Sequence, residues 1–289
     1  MQKNCICICG AVKDCAKWLN SVLCNIEQIG SVFNNYKIIM YYDKSDDDTL
    51  AILENYNKKN SAFTLLINQN HDDWKDKPRT HKIANARNKC LEEMRRICPK
   101  YEYFAMIDCD DVCAQPVQLH RFIKNLKRND WDALSFNSNN YYDQWAVSLK
   151  HLPYSVWHFE QPNALQIYRD AIKGEIERTP KGELTQVFSA FNGFAIYRTK
   201  LFVDAVYDGN TRLDLIPPIL LNKNIQTCGP VLPYYWSTDR AVNELKQTDP
   251  YSGFNHKKLP EQDCEHRSFH LYGAFVNGAR IRISPDMVF

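Results

Sequence analysis

Short β-rich runs alternate with amphipathic stretches through the first half of the chain, and this alternation restricts the fold more than any other feature. Asn4–Cys9, Lys37–Tyr42, Phe63–Ile67, Tyr103–Ile107 and Ala133–Phe136 read as strands. Between them, Ala16, Leu19, Val22, Leu23, Ile26 and Ile29 recur at helical spacing and stop at Gly30. Ile83, Cys90, Leu91, Met94 and Ile97 do the same before Pro99, as do Val117, Leu119, Phe122, Ile123 and Leu126 after Pro116. Strand–helix alternation of this kind predicts an α/β fold, a mostly parallel central sheet flanked by helices, with ligands bound beyond the carboxyl ends of the strands.

Tyr141–Glu183 breaks the pattern with aromatic and Pro-containing sequence and reads as irregular structure. Beyond it Gln186–Tyr197 is strand-like, Thr199–Tyr207 helix-like, and Ile225–Tyr235 a further strand between Pro230 and Pro233. Nothing resembling a linker divides the 289 residues, so a single large domain over 1–289 is expected. With 36 Lys+Arg against 34 Asp+Glu the net charge is +2, which argues against nucleic acid as a partner. No apolar run of about 18 residues is present, so no transmembrane segment is expected. The apolar part of MQKNCICICG is too short for a signal peptide and reads as a first strand.

The 11 cysteines are odd in number and form no C-x-x-C pair, which fits free thiols in a reducing compartment. No N-x-Ser/Thr acceptor occurs either, and together these features place the chain in the cytoplasm unless an anchor lies outside this sequence. Cys5, Cys7 and Cys9 fall on one face of a strand, where they serve as small buried hydrophobes rather than metal ligands.

The strongest chemical signal is the run Tyr103-Phe104-Ala105-Met106-Ile107-Asp108-Cys109-Asp110-Asp111, an apolar strand leading straight into carboxylates. Carboxylates gathered at a strand end repel one another and resist desolvation, so they call for a cation. Mg²⁺ or Mn²⁺ bridging to phosphate oxygens is the common solution. An Asp-rich turn ahead of Pro116 is the plain alternative.

This arrangement resembles the GT-A class of nucleotide-sugar glycosyltransferases, whose D-x-D motif ends a central strand about a hundred residues into the domain; Asp108-Cys109-Asp110 has that place. The resemblance is close over 1–140, which it marks as the nucleotide-sugar-binding half, and looser over 141–289, the acceptor-binding half. Asn4–Gly10 looks like the first strand and the loop along the nucleotide, bringing in Cys9 and Gly10. Tyr41–Thr49 is similar to the family's second strand end, with Asp43 contacting the base and Asp46–Thr49 capping the next helix. Arg79 and Ile83-Ala84-Asn85-Ala86-Arg87-Asn88 look like the helix before the D-x-D strand, with an arginine near the diphosphate and Asn88 at its A-R-N end. Ser189–Arg198 resembles the acceptor-side strand, where Asn192 and Gly193 would let the backbone approach the donor sugar. Asp263-Cys264-Glu265-His266-Arg267-Ser268-Phe269-His270 is similar to endings in the branch related to fungal capsule mannosyltransferases.

The resemblance implies a metal-dependent transfer of a hexosyl or pentosyl unit from a UDP- or GDP-linked sugar to a hydroxyl of a glycan or glycoconjugate. Asp110 with His270, or with His266, would hold Mn²⁺ or Mg²⁺, while Asp108 and Cys109 would lie along the nucleotide. Glu265, or Asp263 beside it, would supply a base if the reaction inverts the anomeric centre. Tyr141–Trp157 would provide aromatic rings for acceptor stacking. Competing readings are a haloacid-dehalogenase-type phosphatase using D-x-D-x-V, a nucleotidyltransferase, and a non-catalytic nucleotide-sugar-binding protein. Neither a P-loop nor a dinucleotide-binding glycine pattern occurs among the 10 glycines.

Overall fold

The computed structural model describes residues 4–139, 141–153, 164–220 and 263–289. In chain order its elements are β1 (Cys5–Val12), α1 (Ala16–Gly30), β2 (Asn35–Tyr42), α2 (Thr49–Lys59), β3 (Phe63–Ile67), α3 (His71–Trp74), α4 (Arg79–Ile97) and β4 (Tyr103–Asp108). There follow α5 (Leu119–Leu126), β5 (Ala133–Asn137), β6 (Ser148–Leu149), α6 (Ala164–Arg178), β7 (Thr185–Ser189), β8 (Phe194–Arg198), α7 (Glu265–Phe275) and β9 (Ile281–Met287). The strands make one nine-stranded sheet in the order β3-β2-β1-β4-β8-β5-β9-β7-β6.

The N-terminal half is parallel, β1 pairing with β2 and β4, and β2 with β3. Beyond β4 the sheet turns mixed: β8 is antiparallel to both β4 and β5, β9 is parallel to β5, and β7 is antiparallel to β9 and β6. The expected α/β sheet with flanking helices is thus present, its parallel character confined largely to the first half.

Side-chain alternation divides the core into two layers. Ile6 and Ile8 of β1 and Tyr103, Ala105 and Ile107 of β4 pack with Leu19, Val22, Leu23, Ile26 and Ile29 of α1. Cys7, Cys9, Phe104 and Met106 face the other way, against Cys90, Leu91 and Met94 of α4 and Phe269 of α7. Apart from half-buried Ala16, the α1 stripe predicted from spacing is buried, and each of its larger aliphatic side chains contributes roughly 1.5–3 kcal/mol. The cysteines on β1 are core, as their alternation predicts, with Cys7 and Cys9 wholly buried.

Three expectations need correction, and one strand was not expected. Tyr141–Glu183 contains α6, whose Tyr168 and Ile172, one helical turn apart, are buried. Gln186–Tyr197 forms two strands, because Asn192 (φ 58°) and Gly193 (φ 85°) adopt left-handed backbone that ends pairing between them. Thr199–Tyr207 yields only a single 3-10 turn at Thr199–Leu201. β9, which completes the sheet beside β5, lies in a stretch without predicted structure. Ile225–Tyr235 lies outside the described residues.

Candidate active site

The carboxyl ends of β1, β2 and β4 share one edge of the sheet, with Val12 opposite Tyr42 and Ala11 opposite Asp108. Because β8 is antiparallel, its start joins them there: the Asp108 N–H donates to the Gly193 carbonyl at 2.8 Å. Asp108 continues the parity of Phe104 and Met106, so its side chain emerges on the face covered by α4 and α7. A cavity of about 860 Å³ opens at this edge. Its walls include Lys13, Asp43, Arg79, Arg87, Asp108, Asp110, Tyr142, Asp143, Trp145, Phe191, Glu265 and His266.

Arg87 is the hub of the inner wall. Only 5 % exposed, it donates from Nη2 to Asp108 Oδ1 at 2.7 Å, from Nη1 to Glu265 Oε1, and abuts His266 Nε2. Burial opposes its charge, but the Glu265 and Asp108 carboxylates outweigh that and hold the guanidinium protonated. Burial pushes the Glu265 carboxyl up and Arg87 pulls it back. His266 stacks on Phe191 with centroids 3.5 Å apart. Burial, with Arg87 and His270 beside it, pushes its pKa well below the usual value and keeps the ring neutral. Among the described residues its buried Nδ1 has no hydrogen-bond partner.

Beyond Asp108 the charge is less well matched. Asp110 accepts the Val112 N–H at 3.2 Å and has no ion pair among the described residues; burial and the Asp108 charge push its pKa up to about 6. Asp143 is likewise without a cation, its Oδ1 accepting Ala146 N–H at 3.4 Å and its Oδ2 accepting Asn192 N–H at 3.3 Å. Burial, then Asp108 and Glu265, push it to about 7. This end of the cavity is short of positive charge, and its hard oxygen donors suit Mg²⁺ or Mn²⁺. Among the described residues no three His, Cys, Asp or Glu side chains close on one point.

The residues singled out from sequence divide into those on the cavity and those behind it. Asp43, Arg79, Asp108, Cys109, Asp110, Glu265 and His266 line it. Asp43 Oδ1 accepts from His71 Nδ1 at 2.8 Å and from Asn68 Nδ2 and Lys44 N–H at 2.9 Å. Burial raises its pKa, yet these bonds outweigh burial and hold it below the ordinary range. Cys109 reaches the cavity but sits in the α1-side core, where burial pushes its thiol well up. Cys9 and Gly10 do not reach it: β1 keeps pairing as far as Val12, so the cavity starts at Ala11. A Cβ on Gly10 would lie 2.7 Å from Met40 Sδ, a packing reason for the glycine.

Asn88, one position past Arg87, points away and clamps the Tyr207 backbone, donating to its carbonyl and accepting its N–H, each at 2.8 Å. Asn192 braces the wall from behind, accepting Tyr142 N–H at 3.3 Å and donating to the Phe136 carbonyl at 2.9 Å. Gly193 has Tyr142 OH where a Cβ would stand, 2.8 Å away, so the close approach there is by a protein side chain. His270 is a correction. Ser189 donates to the Ala146 carbonyl and so accepts from His270 Nδ1–H at 2.9 Å, leaving Nε2 to accept the Tyr197 hydroxyl at 2.9 Å. Wholly buried and lowered to about 3 by burial and Arg87, it is a satisfied core histidine with no lone pair for a metal.

Glu265, the base expected from sequence, lines the cavity with one carboxylate oxygen, Oε1, bonded to Arg87. Sequence reasoning passed over Arg87 in favour of Asn88, although the A-R-N string held it, and passed over Asp143 within the aromatic stretch. Of those aromatics, Tyr142 and Trp145 face the cavity, Tyr141 is core, and Tyr154 and Trp157 lie outside the described residues.

Several solved structures resemble the fold at low identity. S. aureus TarS 1-349 is 13% identical, with TM-score 0.44 over 98% of this chain and 58% of that one. The mannosyltransferase PcManGT from Pyrobaculum calidifontis, solved with GDP-Man and Mn²⁺, is 12% identical, with TM-score 0.40 over 70% of this chain and 47% of that one. Glucosyl-3-phosphoglycerate synthase from Mycobacterium tuberculosis is 12% identical, with TM-score 0.43 over 79% and 66%. The chain thus spans less than two-thirds of each of these structures. No curated protein matches it in sequence. The resemblance to capsule mannosyltransferases is borne out at the level of family: the model described as Cryptococcal mannosyltransferase 1 matches residues 9–251, and the chain belongs to that family.

Proposed function

We propose that this protein is a divalent-metal-dependent glycosyltransferase that moves a hexosyl or pentosyl unit from a nucleoside diphosphate sugar to a hydroxyl of a glycan or glycoconjugate. The observation that carries the reading is a cavity of about 860 Å³ whose lining brings the carboxylates Asp108, Asp110 and Asp143 together with Lys13, Arg79 and Lys82. Such a lining suits a diphosphate bound with a cation and balanced by ammonium and guanidinium groups. The family's name makes mannose the first sugar to test, carried on GDP or UDP.

In this reading Asp43 presents its second oxygen to an N–H of the base, its first being occupied by His71, Asn68 and the Lys44 N–H. Arg79, Lys13 and Lys82 balance the phosphates. Asp110, with Asp108 beside it, would hold the metal, and Mn²⁺ or Mg²⁺ there would act as a Lewis acid toward the leaving diphosphate. Arg87 and Tyr142 orient Asp108 from opposite oxygens, at 2.7 and 3.4 Å. Tyr142 and Trp145 offer rings for the acceptor.

Calorimetric titration of GDP, UDP and their sugar conjugates, with and without Mn²⁺, on wild type and Asp110→Asn tests this. A diphosphate at a hundredfold excess over Kd should stabilise the wild type by about 2.7 kcal/mol. The stabilisation should require metal and be lost in Asp110→Asn. Failure of every nucleotide to bind, with or without metal, would refute the reading.

A further inference from the structure

β3 ends the sheet on its side, paired with β2 and with no other strand among the described residues. Ile38 N–H donates to the Ala62 carbonyl and Asn68 N–H to the Tyr42 carbonyl, each at 2.9 Å. In a parallel ladder the N–H and carbonyl of one residue point to the same side, and successive residues alternate. Ala62, Thr64, Leu66 and Asn68 therefore turn their backbone groups to β2, while Leu65 and Ile67 turn theirs outward. Among the described residues those outward groups have no hydrogen-bond partner, whereas Phe63 N–H is taken by the Asn60 carbonyl at 3.1 Å.

An open edge usually carries a charge, a proline or a bulge that discourages pairing with another chain. Phe63-Thr64-Leu65-Leu66-Ile67 has none of these and keeps continuous register with β2. Ile67 is 41% exposed, and Leu65 and Leu66 are half-buried. The nearest Lys, Arg, Asp or Glu residues in sequence lie beyond the strand and differ in sign between its two ends. α2 finishes with the exposed Lys58 and Lys59 just before β3, and α3 carries the exposed Asp72 and Asp73 just after it. None of these four has an ion pair among the described residues.

We propose that β3 is a dimerisation edge, along which a second copy of this chain pairs antiparallel about a two-fold axis at Leu65. Leu65 then exchanges both backbone bonds with Leu65 of the second copy, and each Ile67 N–H reaches the Phe63 carbonyl of the other strand, as the alternation of an antiparallel ladder requires. Ile67, exposed on the single chain, comes to lie opposite Phe63 of the second copy. Because the strands run in opposite directions, the lysines ending α2 in one copy meet the aspartates of α3 in the other. The same patch serves both molecules, so the contact closes on itself. This complementarity favours a second copy over an unrelated extended peptide, which would satisfy the backbone groups but not the two charged ends.

Sedimentation across a dilution series tests the pairing in wild type, Ile67→Lys, Lys58→Glu/Lys59→Glu, and a variant that adds Asp72→Lys/Asp73→Lys to the latter. Wild type should reach twice the 33.8 kDa chain mass when concentrated and dissociate on dilution. Ile67→Lys should raise the dimer Kd by about tenfold or more, since it removes an apolar cross-strand contact at both ends of the pairing. The two lysine reversals should also weaken the dimer by setting acid against acid, and the full charge exchange should restore it. The Leu65 amide should exchange hydrogen at least about tenfold more slowly in concentrated than in dilute wild type. Thermal melting of each variant reports folding separately. Wild type that stays monomeric at every concentration, including one that binds an extended peptide along β3 instead, would overturn the proposal. A dimer that Ile67→Lys leaves intact, that the charge exchange fails to restore, or whose Leu65 amide gains no protection would overturn it equally.

Discussion

Replacing Arg87 with Gln removes the one guanidinium that joins Asp108, Glu265 and His266. Asp108 keeps access to water, its side chain being 30% exposed, whereas Glu265 at 5% has none to spare. Breaking a buried ion pair from one side typically costs about 3–5 kcal/mol. Glu265 has an escape, because it can take up a proton. At pH 7 an ordinary Glu lies about 2.7 units below the solution pH, and at about 1.4 kcal/mol per unit protonation limits its own share of the penalty to about 4 kcal/mol.

The sign of the pH dependence follows. In the variant the folded pKa of Glu265 rises well above its unfolded value of about 4.3. Its deficit is then absent below that value and grows as pH rises toward the folded pKa. Urea unfolding of wild type, Arg87→Gln and Arg87→Gln/Glu265→Gln at pH 5, 6, 7 and 8 measures this. The single variant should lose about 3–4 kcal/mol at pH 7 and about 1 kcal/mol at pH 5, and the double variant should recover much of the pH 7 loss. A deficit independent of pH, or a double variant less stable than the single one, would refute the argument that Arg87 exists to hold a buried carboxylate.

Two further perturbations test the frame around the site. Gly193→Ala combines a φ of 85° with a Cβ 2.8 Å from Tyr142 OH and 3.2 Å from Cys113 Sγ. It should cost about 1–3 kcal/mol in chemical denaturation and weaken donor binding by displacing Tyr142, and unchanged stability would show that the turn tolerates a side chain. Asp132 accepts from the Arg280 backbone N–H, Nε and Nη2 at 2.9, 2.8 and 3.1 Å; burial raises its pKa, but these contacts outweigh burial and hold it below the usual value. Its contribution, about 1–3 kcal/mol, should be fully present above about pH 4 and disappear as pH falls through the folded pKa. A stability gap between wild type and Asp132→Asn that persists at pH 2 would contradict this.

Much of the first half was legible because its elements are built from local pattern. The β4 run Tyr103–Asp108 and the α1 stripe carry their own periodicity, and both occur within a residue or two of their expected limits. The D-x-D carboxylates were readable for the same reason, since an apolar strand dictates where its last residues surface. The second half was less legible. α6 hides in an aromatic region, and β7, β8 and β9 find partners far away in sequence, so no local pattern announces their order. The histidines show the limit most clearly: His266 and His270 are one helical turn apart and chemically identical. Yet one borders the cavity beside Arg87 while the other is held between Ser189 and Tyr197 in the core.

The sequence by itself determined the strand–helix alternation, the edge at which a ligand can bind and the acids at the end of β4, because periodicity and strand parity are local properties. Tertiary structure alone decided which acids share a cation. Arg87 from α4 reaches Glu265, 178 positions away on α7, while Asp143 has no ion pair among the described residues. Proton affinity depends on the charges and burial around a group, and those are assembled only when distant segments pack together.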